Sequence, residues 1–203
     1  MKKNPKNDVN RRHFLKSSGK VAAASAVLSQ LPIESVVHAA VGDTVSVALV
    51  GCGGRGTGAV NQIMNTKGNT RLVAVADMDP EKGKRSIANL KRQHGDKVDV
   101  VEDKIFGGLS GFKSAIDAGA DLVVIATPPG FKPQQFEYAV KAGKHIFCEK
   151  PVASDAPGVR RVLAANVIAK KKNLMVGIGL QRRHVAAEHH GPLGQGQPLA
   201  EGF

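Results

Sequence analysis

From Thr44 onward, short runs of apolar and β-branched residues alternate with longer stretches in which apolar positions recur at helical spacing. The runs are Val45 to Val50, Arg71 to Ala76, Val98 to Val101, Leu122 to Ala126, His145 to Phe147 and Leu174 to Ile178. Runs this short and this continuously apolar suit strands covered on both faces. Between them the spacing predicts helices over Gly56 to Met64, from an Asp79 cap and Pro80 to about Gln93, over Phe112 to Ala118, over Pro133 to Ala142 before Gly143, and from a Ser154 or Asp155 cap to about Lys172. Alternation of this kind, with no internal repeat, predicts an α/β fold with a doubly wound parallel sheet of six strands over residues 44–183.

Both ends depart from that rhythm. Asn10-Arg11-Arg12-His13-Phe14-Leu15-Lys16 resembles the twin-arginine export motif. The apolar stretch behind it, Val21 to Leu31, is too short and too rich in Ala and Ser to span a bilayer, and Val37-His38-Ala39-Ala40 offers a signal-peptidase site. Residues 1–40 are therefore expected to be a removable leader, with the twin-arginine export machinery as partner and the periplasm or another extracytoplasmic space as destination. That route carries folded proteins, so a cofactor is expected to load in the cytoplasm and to be held through export. Residues 184–203, with three His and five Gly or Pro between Gly191 and Pro198, are expected to be an unstructured tail. Glu188-His189-His190 lacks the HExxH spacing, and no metal site is expected.

Composition bounds the rest. A chain of 203 residues, 42% hydrophobic, has room for one ordinary domain behind such a leader. The net charge of +12 first suggests nucleic acid, but residues 1–40 carry seven Lys or Arg against two acids. The remaining excess lies on predicted helix surfaces, as in Lys82, Lys84, Arg85 and Lys170, Lys171, Lys172. With only 4% aromatic residues and no nucleic-acid motif, solvated helix faces explain the charge and no nucleic-acid partner is expected. Cys52 and Cys148 are too few for a disulfide scaffold, lack zinc-ligand spacing, and read as small buried residues.

The chemistry concentrates after the first strand. Gly51-Cys52-Gly53-Gly54-Arg55-Gly56 fits G-x-G-x-x-G between a predicted strand and a predicted helix, the context of a Rossmann-type dinucleotide site. There Gly51 permits the tight turn, Gly53 lets backbone approach a pyrophosphate, and Gly56 lets helix and strand pack closely, while the helix N-terminus faces the phosphate. Asp77, twenty-one residues beyond Gly56 at the end of the second strand, is placed to accept hydrogen bonds from the adenosine ribose. A carboxylate there repels a 2′-phosphate, so NAD is favoured over NADP, although Arg55 or Lys82 could offset that repulsion. Asp79 competes for the ribose, but its place before Pro80 suits helix capping better.

Three further segments, Ala126-Thr127-Pro128-Pro129, Cys148-Glu149-Lys150-Pro151 and Gly179-Leu180-Gln181-Arg182-Arg183, all follow predicted strands at the edge where open α/β sheets bind ligands. With the glycine loop they make residues 44 to 184 similar to the glucose-fructose oxidoreductase, inositol dehydrogenase and MocA family. Thr127 could supply a hydroxyl to the cofactor, and Pro128 with Pro129 a fixed backbone edge beside it. The resemblance implies that Lys150 contacts substrate and aids proton transfer during hydride transfer, that Pro151 positions the nicotinamide, and that Glu149 supports the lysine or the cofactor ribose. Arg182 and Arg183 are weaker candidates. It implies a sugar or polyol substrate and also a second, α+β substrate domain carrying further catalytic groups and the oligomer interface. Here the likeness stops at about His184, as in a truncated or frame-shifted chain. Three functions follow as expectations: an exported NAD(P)-dependent oxidoreductase, an NAD-dependent glycosidase of the same fold, or an inactive dinucleotide-binding fragment.

Overall fold

The computed structural model describes residues 44–180. The expected leader at 1–40, the expected tail at 184–203, and Gln181, Arg182 and Arg183 lie outside the described residues. Within them, six strands form one parallel sheet: β1 (Val45–Val50), β2 (Thr70–Asp77), β3 (Ile105–Gly107), β4 (Leu122–Ile125), β5 (His145–Glu149) and β6 (Val176–Gly179). Between them run α1 (Gly54–Met64), α2 (Pro80–His94), α3 (Gly111–Asp117), α4 (Lys132–Lys141) and α5 (Ala156–Lys171). The spatial order is β3-β2-β1-β4-β5-β6.

The period-two alternation of strand side chains divides the core between the two faces. Val47, Leu49 and Val124 pack with Ala59, Val60 and Met64 of α1 and Leu90 of α2. On the other face Val123, Ile125, Ile146 and Cys148 pack with Phe112 and Ile116 of α3, Phe136, Ala139 and Val140 of α4, and Val162, Ala165 and Ala169 of α5. The fully buried members of a third group are all alanines, Ala48, Ala74 and Ala76 of the sheet against Ala115 and Ala120, with Val73 and Phe106 packed at its edge. Small side chains there let α3 lie close over β1 and β2.

Local chemistry fixes the helix starts. The Asp79 side chain accepts from the Glu81 N–H at 3.0 Å with Pro80 at the first helical position, so Asp79 caps α2. Of the two residues able to cap α5, Asp155 does so, accepting from the Gly158 N–H at 2.7 Å. Helix α1 has Gly53 as its cap, with no side-chain cap bond and no acidic residue in its first turn.

One element differs from expectation. Val98 to Val101 is not a strand: Val98 is buried and forms an isolated bridge to Leu72, with the Asp99 N–H donating to the Leu72 carbonyl at 2.9 Å. The Val98 N–H is spent on the Gly95 carbonyl, and the Val101 carbonyl accepts from the Lys104 N–H in a 3₁₀ turn. Local turns at both ends thus prevent a ladder, and pairing with β2 passes to Ile105–Gly107.

Candidate dinucleotide-binding site

The sheet reverses its winding direction between β1 and β4, and the carboxyl ends of those strands diverge into a crevice. Gly51 leaves β1 at φ 97°, a left-handed conformation that disfavours any side chain. A Cβ there would also stand 2.8 Å from the Ala126 carbonyl carbon and the Thr127 nitrogen, so the missing side chain lets the loop lie against the end of β4. At Gly56 a Cβ would meet the Gly51 carbonyl oxygen at 2.0 Å and Leu49 Cδ1 at 3.0 Å, which forces glycine where α1 turns back on its own strand. Gly53 and Gly54 differ: a Cβ at either would meet nothing within 4 Å, so their bare backbone serves open space in front of α1. An uncapped helix start behind bare glycines is a seat for a phosphate.

Asp77 ties the second strand to this loop. Its carboxylate accepts from the Cys52 N–H at 2.7 Å and from the Asp79 N–H at 3.1 Å. An ionised carboxylate has further lone-pair sites, so these two bonds hold its orientation and leave capacity for ribose hydroxyls. A groove of about 270 Å³ follows, lined by Gly51, Gly53, Asp77, Thr127 and Pro128 together with Lys82, Gln135 and the partly exposed apolar residues Met78, Leu109 and Phe131. Exposed apolar side chains gathered on one groove offer walls to a planar base. Met78, Leu109 and Phe131 carry no periodic signal in the sequence, being isolated apolar residues in loops, and Gln135 reads there as an ordinary helix residue. The Thr127 hydroxyl donates to Gln135 Oε1 at 2.5 Å, which fixes its rotor.

Arg55, Glu149, Lys150 and Pro151 form a second group beside this groove. Arg55, with its side chain 44% exposed, reaches from the glycine loop to Glu149 at the end of β5, Nη2 to Oε1 at 2.6 Å. Glu149 is buried, and its register partner on β6 is Gly179. A Cβ at Gly179 would stand 2.6 Å from Glu149 Oε1, so a side chain there would displace that carboxylate from its place beside Arg55. Lys150 and Pro151 are exposed and joined by a cis peptide. Beneath this turn lies Lys132, which sequence reasoning missed. It is 2% exposed, and its ammonium donates to the carbonyls of Glu149 at 2.6 Å, Lys150 at 3.2 Å and Pro151 at 3.0 Å. Burial holds the Lys132 pKa below the ordinary lysine value.

The two cysteines are buried and free. Burial, reinforced by Asp77, pushes the Cys52 thiol up to about 12, and burial pushes Cys148 up to about 11. Both are inert thiols beside the site.

Glycine loop, helix start, the carboxylate of Asp77 and the crevice at the winding reversal together define a dinucleotide-binding Rossmann domain. The chain belongs to the glucose-fructose oxidoreductase, inositol dehydrogenase and MocA family, matching over residues 45–180 the description "Oxidoreductase family, NAD-binding Rossmann fold". It is 32% identical over 137 residues to an inositol 2-dehydrogenase of Ralstonia nicotianae, covering 66% of this chain and 36% of that protein. To inositol 2-dehydrogenase 1 of Saccharopolyspora erythraea it is 34% identical over 143 residues, covering 69% and 38%. The structure of scyllo-inositol dehydrogenase from Lactobacillus casei with bound NAD(H) and scyllo-inositol superposes with a TM-score of 0.54 at 25% identity, covering 71% of this chain and 38% of that one. The chain thus spans less than two fifths of these relatives' own length.

Proposed function

We propose that this chain supplies the NAD-binding half of an exported, NAD-dependent dehydrogenase acting on a cyclic polyol or sugar. The observation that carries the reading is the arrangement across the crevice: a phosphate seat at Gly53 and Gly54, a ribose acceptor at Asp77 on one side, and an exposed lysine, Lys150, on the other. The inositol 2-dehydrogenases among the relatives support the substrate class. NAD, when bound, supplies a two-electron acceptor for the hydride leaving a carbinol carbon. Lys150 would hold the hydroxyl of that carbon and, as the unprotonated amine, would take up its proton, so that the alcohol becomes a ketone as the C–H and O–H bonds break. Asp77 orients the adenosine ribose and disfavours a 2′-phosphate, and Met78, Leu109 and Phe131 exclude water from the base. Enclosure of the substrate belongs to the part of the relatives that this chain does not match. The Arg11-Arg12 motif supports export with the cofactor already seated.

The test is titration of the purified chain with NADH and NADPH by nicotinamide fluorescence, followed by NAD reduction with myo-inositol, scyllo-inositol and a panel of hexoses. Binding of NADH at least tenfold tighter than NADPH is expected. Absence of any dinucleotide binding overturns the reading. Release of a chromogenic leaving group from a glycoside without net NADH formation would replace the dehydrogenase by a glycosidase. A fusion of residues 1–43 to a folded reporter, followed in cells with and without the twin-arginine translocase, tests export.

A further inference from the structure

Lys132 opens α4, and its side chain turns inward beneath the neighbouring strand instead of out to solvent. An ammonium has three N–H donors, and all three are matched by carbonyls of three consecutive residues, Glu149, Lys150 and Pro151, at 2.6, 3.2 and 3.0 Å. Packing alone does not call for this residue, because an apolar side chain of the same length would fill the space without the cost of taking a charge out of water. What the ammonium adds is direction. Three backbone carbonyls aimed at one atom fix the turn just where its ladder to β6 ends, at Glu149 opposite Gly179. One helical turn on, Gln135 holds the Thr127 hydroxyl at the end of β4. The first turn of α4 therefore grips both loops that follow β4 and β5, with Gln135 also lining the groove.

We infer that Lys132 is a positioning residue that sets the place of the Glu149–Pro151 turn, and with it Lys150, against the nicotinamide end of the bound dinucleotide. This rests on the reading that the crevice takes NAD with its adenosine ribose at Asp77, which leaves the nicotinamide over the ends of β4 and β5. Lys132 acts through the turn and touches neither cofactor nor substrate.

The consequence is a split between ligands. ADP-ribose has the adenosine and pyrophosphate but lacks the nicotinamide, so it reports on the glycine loop and Asp77 without depending on the turn. In Lys132→Met the three carbonyls lose their donors, and NADH affinity is expected to fall at least tenfold while ADP-ribose affinity changes less than twofold. Lys132→Arg, which keeps charge and donors but cannot converge them on one point, is expected to show the same split in smaller measure, and it decides the matter if Lys132→Met does not fold. Both affinities falling together, or neither falling, overturns the positioning role. Failure of the unsubstituted chain to bind either ligand overturns the NAD reading and this inference with it, whereas absence of the split in the variants overturns the inference alone.

Discussion

The glycine loop after β1 and the Glu149–Pro151 turn after β5 flank the same crevice, yet they are held by opposite means. At the first, side chains are absent: Gly51 and Gly56 let backbone touch backbone, and Gly53 and Gly54 leave space in front of α1. At the second, charges do the holding, with the half-exposed Arg55 on the buried Glu149 and the buried Lys132 under three carbonyls. One loop is shaped by exclusion and is intolerant of added atoms. The other is shaped by electrostatics and is intolerant of removed charges.

Adding one methyl group gives the sharpest test of that contrast. Gly56→Ala places a Cβ 2.0 Å from the Gly51 carbonyl oxygen, and backbone must move to admit it. A loss of about 3 kcal/mol in chemical denaturation is expected, together with loss of NADH binding. Gly53→Ala meets nothing within 4 Å, so its unfolding free energy should stay within about 0.5 kcal/mol of the parent while NADH affinity falls at least tenfold. Equal destabilisation by the two would show that the loop is not divided in this way.

On the other side, Gly179→Ala drives a Cβ into the Glu149 carboxylate at 2.6 Å, and a loss of about 2 kcal/mol is expected. Arg55→Leu leaves the buried Glu149 carboxylate without its guanidinium. Removing one member of a fully buried pair costs about 3–5 kcal/mol, but the Arg55 side chain is 44% exposed and water partly takes its place, so about 1–2 kcal/mol is expected. A double-mutant cycle with Glu149→Gln should recover most of that loss, and a cycle showing no coupling would remove the ion pair from the account.

The smallest expectation is of no effect at all. At pH 8 neither Cys52 nor Cys148 should react with a thiol reagent until the protein unfolds. Both folded values, about 12 and about 11, lie above the ordinary 9.0, so their contribution to stability is complete below pH 9 and is lost as the pH rises toward 11 and 12. Lys132 works the other way, since its lowered value disfavours folding least at high pH. Between pH 8 and pH 10 the cysteines should therefore contribute a decline in stability that Cys52→Ala with Cys148→Ala makes smaller, while Tyr138, raised by its hydrogen bond to Asp117, adds to the decline in both proteins.

The glycine loop was legible in the sequence because its constraints are local: a strand, a tight turn and a helix within fifteen residues impose glycine at fixed offsets. The strands were legible for the same reason, apart from Val98 to Val101. There the β-branched residues gave the right burial for Val98, but the turns at Gly95 and Val101 took the backbone groups a ladder needs. Lys132 was not legible. A lysine at a helix start reads as solvated, and its burial depends on carbonyls seventeen to nineteen residues away. The inverse signal was Gly179, a glycine at the end of an apolar strand, where the Leu180 N–H turns back to the Ile178 carbonyl at 2.7 Å. The purpose of that glycine is visible only once Glu149 is seen across the ladder.

That pairing makes positions 149 and 179 a single heritable unit. A lineage that places a side chain at 179 has to shorten or move the group at 149, and one that shortens that group frees 179 to vary. Among relatives the two columns should therefore change together, although thirty residues separate them. A substitution screen that samples them one at a time would score each as immovable while the pair is not.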